Sequence, residues 1–404
     1  MNPHRYIIVG GGIAAASAIE GIRAHDGEGA VLLLTRENHA PYQRPLLTKD
    51  VWSDPEGLRR LPVHDDSFYA ENHVQIGYRR EVVEIDCERR IVYDERGERY
   101  DYENLLLATG SRPRRLDIPG SHSSALRYFR DLEDYFAMES RLDRLQHITL
   151  LGGSFTGIEM AAALRGRGKE VTLIYPDEYP LHHLLPRDLG LSLADLLRDH
   201  GVETVTGETL VEIDEQPGIV YARTHQGNHL STEMVLVDAG AEPQSELAEA
   251  AGLATDDGVV VNEFTQASAP GVFAAGDVAE FPYLALGHLM RIECADHAVH
   301  HGRCAGENMA GAAVAYDWMP ALWFQVFDLR FDGVGDLDPR MLDTHIVWTE
   351  PGREGLVYYL RDDVVRGVLL CNLTGRLDWA RALIREPRAT SSAERETLVG
   401  QPQR

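Results

Sequence analysis

The chain has 404 residues, of which 44% are apolar and 25% charged, and its formal net charge is −25. This length predicts two or three domains, and the negative field excludes nucleic acids and anionic lipid surfaces as principal ligands. Apolar runs are far shorter than the roughly 20 residues that cross a bilayer, and the start MNPHRYIIVG lacks a secretory or transit pattern, so we expect a cytoplasmic protein without a membrane span.

The first part of the chain predicts a β-turn-α-β unit. Its parts are a strand at 6–9, a glycine turn at 10–12, an alanine-rich helix at 13–23 and a strand at 30–34. In the pattern GxGxx(G/A), the first glycine turns sharply and the second lets backbone N–H groups approach a pyrophosphate, while the third position stays small for packing. Gly10, Gly12 and Ala15 occupy these positions, which predicts a dinucleotide site.

The same arrangement recurs later in the chain. Its parts are a strand at 147–151, a turn at 152–154, a helix at 155–167 and a strand at 170–175. Gly152 and Gly157 match the first and third glycines, whereas Ser154 stands at the second, where its Cβ would crowd a phosphate. Gly168 is expected to end the helix in a left-handed conformation. Two such units predict two different dinucleotides.

An acidic residue after the second strand of each unit is expected to bind a ribose 2′-hydroxyl. The first unit offers Glu37, directly after Arg36, and the second offers Asp177 and Glu178. A carboxylate in the second unit without an adjacent arginine favours NADH over NADPH, because it would repel a 2′-phosphate.

Three further segments leave an apolar strand through glycine: LLLATGSRPR after the first unit, MVLVDAGAEPQ after the second, and GVFAAGDVAEF near residue 276. The last of these places Gly276 and Asp277 at the end of a strand. A Gly-Asp pair alone is typical of a turn, but beside the first loop and LLLATG it favours a nucleotide site.

The elements together predict an α/β fold with two Rossmann-like dinucleotide-binding domains and a carboxy-terminal α+β domain. The predicted domains are a discontinuous first domain at 1–120 and 250–316, a second at 121–249 and a third at 317–385, followed by a polar, disordered tail at 386–404. The third domain is inferred from alternating strand patterns such as GLVYYL and an amphipathic helix near 377–384.

Over about residues 5–316, the two glycine loops, LLLATGSRPR and AAGDVAEF occur in an order that resembles the two-dinucleotide FAD/NAD(H) flavoprotein oxidoreductases. PYQRPLLTKDVW resembles a segment of both bacterial oxygenase-coupled ferredoxin reductases and apoptosis-inducing factor. The carboxy-terminal segment GLVYYLRDDVVRGVLLCNLTGRLDWARALI resembles that of apoptosis-inducing factor-like proteins and so favours them, with the ferredoxin reductases next. The resemblance implies FAD in the first domain and NADH in the second, face to face, with hydride passing from NADH C4 to flavin N5.

The resemblance also implies the site residues. Lys49 and Phe155 would act at the flavin and nicotinamide, and Glu159 would pair with Lys49, whose charge would stabilise the reduced flavin. The other implied cofactor contacts are Gly10, Gly12, Ala15, Glu37, Arg44, Arg130, Gly152, Gly157, Asp177, Gly276, Asp277, Glu293 and Trp323.

The chain departs from the family at several positions. Arg36 stands where the family has its FAD-ribose carboxylate, so Glu37 is taken as the substitute. Cys294 and Ala295 replace a histidine pair after the family's glutamate, and Ser154 replaces a glycine. The nuclear, DNA-linked role of apoptosis-inducing factor is not expected at this net charge.

Side-chain spacing bears on two alternative chemistries. The four cysteines form no CxxC or CxxxxC pair, so disulfide reduction is not expected. Glu293, His297 and His301 have helical spacing, but eight helical residues span about 12 Å, too far for one metal ion. A polar helix face and no metal are therefore predicted. An aromatic cluster, formed by Trp318, Trp323, Phe324 and Phe327, is interpreted as core.

The electron acceptor stays open among a small redox protein, a quinone and O2, and so does a homodimer. One hypothesis is a reductase for a ferredoxin-like protein, which would need a local basic patch, at residues 79–80 or 112–115, to dock an acidic partner. Another is an NADH-sensing scaffold with little turnover. A flavin-free binding protein is a third class, which a yellow purified protein would exclude.

Overall fold

The computed structural model describes residues 4–52, 54 and 56–399. In this part of the chain the α-helices are α1 (Ile13–His25), α2 (Asp66–Glu71), α3 (Leu132–Leu142), α4 (Phe155–Gly166), α5 (Arg187–Asp199), α6 (Glu246–Ala250), α7 (Ala295–Met309), α8 (Leu377–Arg385) and α9 (Ser392–Val399). Short 3₁₀ turns lie at Arg44–Thr48, Asp50–Trp52 and Gly57–Arg60.

The strands of the same residues are β1 (His4–Val9), β2 (Val31–Thr35), β3 (Val74–Tyr78), β4 (Val82–Asp86), β5 (Ile91–Asp94), β6 (Arg99–Leu107), β7 (Ser111–Pro113), β8 (Leu126–Tyr128), β9 (His147–Leu151), β10 (Glu170–Tyr175), β11 (Val202–Thr206), β12 (Leu210–Gln216), β13 (Ile219–Thr224), β14 (His229–Thr232), β15 (Met234–Val237), β16 (Ala241–Pro243), β17 (Thr255–Asp256), β18 (Gly258–Val260), β19 (Val272–Ala274), β20 (Ala279–Tyr283), β21 (His288–Met290), β22 (Ala321–Val326), β23 (Leu329–Gly335), β24 (Asp343–Glu350), β25 (Glu354–Arg361) and β26 (Val364–Cys371).

The chain divides into two compact units, each built from segments distant in sequence. Unit 1 takes the described residues of 1–44, 59–112 and 242–320, and unit 2 takes those of 45–58, 113–241 and 321–404. Each unit contains one of the two β-turn-α-β copies. The three-domain division drawn from the sequence stays a prediction.

Unit 1 is built on a sheet whose parallel part has the order β3-β2-β1-β6-β19. The first strand, β1, is central, and the chain order reverses between β1 and β6. In such sheets, ligands bind beyond the carboxyl ends of the strands at this reversal. β6 is long enough to pair antiparallel with β5 through its first residues as well.

Helices α1 and α7 of unit 1 pack against one another through their main chains. A Cβ on Gly302 would lie 2.2 Å from the carbonyl oxygen of Ala14, and a Cβ on Gly306 would lie 2.0 Å from that of Ala18. Only glycine allows this approach. Ile19 and Ile22 of α1 are fully buried in the core that these helices share with the sheet.

The carboxy-terminal end of α1 is fixed by Asp26. Its Oδ1 accepts the N–H of Gly29 at 2.9 Å, and its Oδ2 accepts the Tyr6 hydroxyl at 2.8 Å and lies 2.9 Å from Nη1 of Arg5. Burial opposes the charge, but these donors outweigh it and lower the pKa of Asp26 to about 2. The carboxylate therefore ties α1 to β1.

Unit 2 repeats the parallel architecture with the order β11-β10-β9-β15-β8. Here β9 corresponds to β1 and β15 to β6, so this sheet has the same reversal point. The two copies that the sequence predicts are therefore confirmed as two Rossmann-like sheets, and Gly168 has the expected positive φ of 76°.

An antiparallel sheet of order β22-β23-β26-β25-β24 follows in unit 2, with α8 packed on β23 and β26. This arrangement agrees with the predicted carboxy-terminal α+β texture. The sequence predicts a disordered tail from residue 386, but residues 392–399 form α9, where the Arg395 side chain is only 7% exposed and bonds the carbonyl of Thr390. Residues 400–404 of the predicted tail lie outside the described residues.

The smaller sheets have the orders β12-β13-β14, β16-β7 and β17-β18-β20-β21. Over the described ranges, no helix combines the length and the apolar character that crossing a membrane requires.

Candidate functional site

The first glycine loop, in unit 1, fits an anionic ligand. Gly10 has a φ of 123°, and a Cβ there would lie 2.0 Å from the carbonyl oxygen of Ala108, so only glycine fits. A Cβ on Gly12 would meet nothing within 4 Å. The space beside Gly12 and the amino end of α1, which has no acidic residue in its first turn, form an open cradle that would suit a pyrophosphate. Ala15 is fully buried, as its packing role requires.

The acidic residue after β2 is held in a small network. The hydroxyl of Tyr42 donates to Oε2 of Glu37 at 2.7 Å, and the Arg44 guanidinium forms an ion pair with Glu37. Arg36 turns elsewhere and donates to Oε1 of Gln244 at 2.9 Å. The structure thus binds Arg44, expected at the flavin, to Glu37, expected at the ribose; both cofactor roles stay predictions.

A second polar group of unit 1 lies near the end of β19. The hydroxyl of Ser111 lies 3.1 Å from Oδ2 of Asp277 and 3.2 Å from Oε2 of Glu293. Arg291 donates to the carbonyl of Asp277 at 3.1 Å and forms an ion pair with Glu293. The sequence pointed to both carboxylates but missed Ser111, although its place directly after LLLATG was a signal.

The predicted polar helix face on α7 is wrong. Glu293 precedes the helix, because Cys294 caps it, and His297 and His301 are fully buried. Nδ1 of His297 lies 2.9 Å from the Tyr316 hydroxyl. Burial lowers the pKa of His297 to about 4, so this ring is neutral at physiological pH. Among the described residues, no group of acidic, histidine or cysteine side chains has the arrangement of a metal site.

The four cysteines, Cys87, Cys294, Cys304 and Cys371, are free thiols. Burial raises the pKa of Cys294 and Cys304 to about 12. A thiol with so high a pKa is a poor nucleophile, since the thiolate is the reactive form.

The second glycine loop, in unit 2, repeats the geometry of the first. Gly152 has a φ of 128°, and a Cβ there would lie 1.9 Å from the carbonyl oxygen of Asp238; a Cβ on Gly157 would lie 2.0 Å from the carbonyl oxygen of Gly152. Ser154 stands at the N-cap position of α4, but its hydroxyl donates to the carboxylate of Asp238 and not to the helix. The sequence did not single out Asp238.

Lys49 and Glu159 form the ion pair that the family resemblance implies. Nζ of Lys49 lies 2.8 Å from Oε2 of Glu159, and the two side chains are 11% and 4% exposed. Oε2 also accepts the Thr48 hydroxyl at 2.6 Å, and Oε1 accepts the N–H of Gln325 at 3.1 Å. Three segments of unit 2 therefore fix one buried carboxylate, which in turn fixes the ammonium group of Lys49.

Aromatic rings border this pair. Nζ of Lys49 lies 4.3 Å from the ring centre of Trp323, within the range of a cation–π interaction. The ring centre of Phe155, the first residue of α4, lies 5.0 Å from that of Phe324. Phe324 in turn stacks on Phe331, with 4.6 Å between the ring centres.

The remaining residues of the predicted aromatic cluster, and Arg130, have partners of their own. Phe327 stacks on His200, while Trp318 in unit 1 stacks on His300. Of the four aromatic residues predicted as core, Phe324 is fully buried, whereas the other three are half-buried, so the prediction is wrong for them. Arg130 donates its backbone N–H to Asp134 at 2.8 Å and is half-buried; its implied cofactor contact stays a prediction.

The carboxylate expected at the second ribose is accessible. Asp177 follows β10, its side chain is 48% exposed, and its Oδ1 lies 3.5 Å from Nδ1 of His182. The sequence showed no arginine beside this carboxylate, but the fold brings Arg187 to Glu178, the next residue, in an exposed ion pair. An arginine is thus near the site, although it is already paired.

The comparisons with known proteins agree with this geometry. Residues 4–302 match the family model described as pyridine nucleotide-disulphide oxidoreductase. Apoptosis-inducing factor 1, mitochondrial, of Dictyostelium discoideum is 30% identical over 416 residues, which cover 94% of this chain and 78% of that protein. The anthranilate 1,2-dioxygenase system ferredoxin–NAD(+) reductase component of Burkholderia cepacia is 32% identical over 339 residues, which cover 83% of this chain and 82% of that protein.

Among solved structures, the ferredoxin reductase for the CYP199A2 system from Rhodopseudomonas palustris matches with a TM-score of 0.90 and 25% identity, covering 98% of this chain and 100% of that one. The chain belongs to the pyridine nucleotide-disulphide oxidoreductase family. It is an FAD-dependent NAD(P)H oxidoreductase by this membership, and its two glycine loops correspond in number to the two dinucleotides that the family implies.

Proposed function

We propose that the protein oxidises NADH at the second glycine loop, reduces FAD bound at the first loop, and passes the electrons to a small redox protein. The observation that carries this proposal is the duplicated glycine loop, in which Gly10 and Gly152 both turn with positive φ, each at the reversal point of its own parallel sheet. The ferredoxin reductase relatives support a redox-protein acceptor; a quinone and O2 are the competing acceptors.

The bound FAD would supply hydride acceptance and single-electron transfer. The residues of the chain would bind and orient. Lys49, held by Glu159, would offer a fixed positive charge for the negative charge that develops on reduction. Phe155 would shield the nicotinamide from water. No general acid or base is needed, because hydride transfer moves no separate proton.

NADH rather than NADPH is proposed because Asp177 presents an accessible carboxylate after β10, where the adenine ribose is expected. Asp177→Arg should raise the ratio of NADPH to NADH efficiency at least about tenfold, since it replaces repulsion of a 2′-phosphate by attraction. Asp214→Arg makes the same charge change at an exposed position on β12 and should leave the ratio unchanged. An unaltered ratio in Asp177→Arg would remove Asp177 from the ribose site.

The proposal as a whole is tested by absorbance. The purified protein should be yellow, and anaerobic NADH should bleach the flavin bands. Reoxidation is then followed with a ferredoxin, a rubredoxin, a quinone and O2 in parallel. Fast reoxidation by one redox protein supports the reductase, whereas slow reoxidation by every acceptor favours the NADH-sensing scaffold. A colourless protein that takes up no FAD would contradict both.

A further inference from the structure

The second glycine loop carries a carboxyl group of its own. Oδ2 of Asp238, directly after β15, accepts the N–H of Gly157 at 2.9 Å and the hydroxyl of Ser154. Gly157 is the third residue of α4, and the N–H groups of a helix's first turn are those that bind anions. A carboxylate of the chain therefore already uses part of the donor set that would attract a pyrophosphate.

The first loop shows what this position requires. The Cβ of an altered Gly10 would meet the carbonyl of Ala108 at 2.0 Å, and that of an altered Gly152 would meet the carbonyl of Asp238 at 1.9 Å. Ala108 and Asp238 thus occupy equivalent positions after corresponding strands. Because the first copy builds the same turn with alanine, the turn itself does not need a carboxylate at this position.

The pairing also accounts for the irregular loop. Ser154 replaces the second glycine and directs its hydroxyl to Asp238. The serine and the aspartate thus form a hydrogen-bonded pair, which the first loop, with Gly12 and Ala108, lacks. Burial raises the pKa of Asp238 in spite of its hydrogen-bond donors. The surroundings therefore oppose the negative charge, and two phosphates placed nearby would oppose it further.

We propose that Asp238 sets the affinity of the second loop for pyridine nucleotide: its carboxylate competes with the pyrophosphate for the amino end of α4, which weakens binding so that this nucleotide exchanges. The first loop, with alanine at the equivalent position, retains its dinucleotide. The inference rests on the proposed function, since it takes the second loop as the pyridine nucleotide site.

The test measures the Kd of NAD⁺ for the oxidised, flavin-containing protein by calorimetric titration. Asp238→Asn keeps the shape and removes the charge, and Asp238→Ala copies the first loop; each should lower the Kd about tenfold. Glu233→Gln is the matched control. Glu233 accepts the N–H of His147 at 3.0 Å, at the opposite end of β9, and its loss should leave the Kd within about twofold of wild type.

Nicotinamide riboside, which has no phosphate, separates charge repulsion from a general change of the loop, and its affinity should change less than about twofold in either variant. Flavin content and Tm report folding. A Kd for NAD⁺ that is unchanged or raised in whichever Asp238 variant folds would overturn the inference. If wild type binds neither NAD⁺ nor NADP⁺ and neither reduced nucleotide bleaches its flavin, the proposed function fails, and the inference with it.

Discussion

The Lys49–Glu159 pair permits a quantitative test of the carboxylate network in unit 2. Glu159→Gln keeps the volume but cannot satisfy both sides of the site. An amide oxygen turned toward Lys49 and Thr48 places the NH2 group against the N–H of Gln325, and the opposite orientation places it against the ammonium. In either orientation the NH2 group faces another hydrogen-bond donor, and both groups lose a partner. The expected loss of stability is therefore about 2–3 kcal/mol.

Lys49→Met removes the ammonium and leaves Glu159 buried with two neutral donors, which should also cost about 2–3 kcal/mol. The double variant leaves neither charge unpaired, so its loss should be smaller than the sum by about 1.5–3 kcal/mol. The Lys49 ammonium retains some compensation in Glu159→Gln, because it still donates to the carbonyl of Pro45 at 3.1 Å and lies over Trp323. This compensation keeps the expected loss below the 3–5 kcal/mol typical of a fully buried broken pair.

Two measurements determine the coupling energy in this double-mutant cycle of Lys49 and Glu159. In calorimetry, each kcal/mol should lower the Tm by about 2–4 °C for a unit of 150–250 residues. Hydrogen exchange of the α4 amides reports the local free energy of opening and does not require two-state unfolding of the whole chain. A control cycle on the exposed pair of Glu178 and Arg187 in the same unit should give a coupling below about 0.5 kcal/mol. Equal couplings in the two cycles would refute the reasoning.

Four further variants, three in unit 1 and one that affects turnover, have expected outcomes. Gly10→Ala should lower stability by more than about 3 kcal/mol, measured by urea unfolding, because the new Cβ meets a carbonyl. Gly12→Ala should have a stability within about 1 kcal/mol of wild type but lose FAD on gel filtration, since its Cβ fills the cradle. Retention of FAD by Gly12→Ala would contradict the proposal that FAD occupies this space. The depressed pKa of Asp26 means that its contribution is present above about pH 4 and is lost as pH falls towards 2. Asp26→Asn should therefore cost about 1 kcal/mol at pH 7, after allowance for solvent screening, and almost nothing near pH 2; a cost independent of pH would contradict the assignment. Lys49→Met should slow flavin reduction by NADH about tenfold or more in stopped flow, and an unchanged rate would remove Lys49 from the site.

The sequence predicted the parts of the fold that depend on local patterns. The strands and the two glycine turns follow from apolar runs and from conformations that only glycine adopts, so the helices beginning at residues 13 and 155 were placed at their first residue. The family followed from motif order, and the family match over residues 4–302 confirms it. The Lys49–Glu159 ion pair was implied by the resemblance, and the structure confirms the contact.

What the sequence missed depends on contacts between distant segments. Ser111 meets Asp277 across more than 160 residues, and Asp238 meets Ser154 across more than 80; no periodicity reports such pairs. The interpretation of His297 as part of a polar face was wrong because helical spacing does not reveal which face is buried. The arginine near Asp177 was missed since Arg187 begins the following helix.

The main-chain contact between α1 and α7 has a consequence for the dinucleotide that is proposed to bind at the first loop. Helices that touch through side chains can part by rotamer changes, but α1 and α7 have no such slack where Gly302 meets Ala14. Ala14 lies two residues beyond Gly12, so one added carbon on α7 would push directly on the cradle. If FAD binds at this loop as proposed, Gly302, a residue outside the loop, would influence how long FAD stays bound.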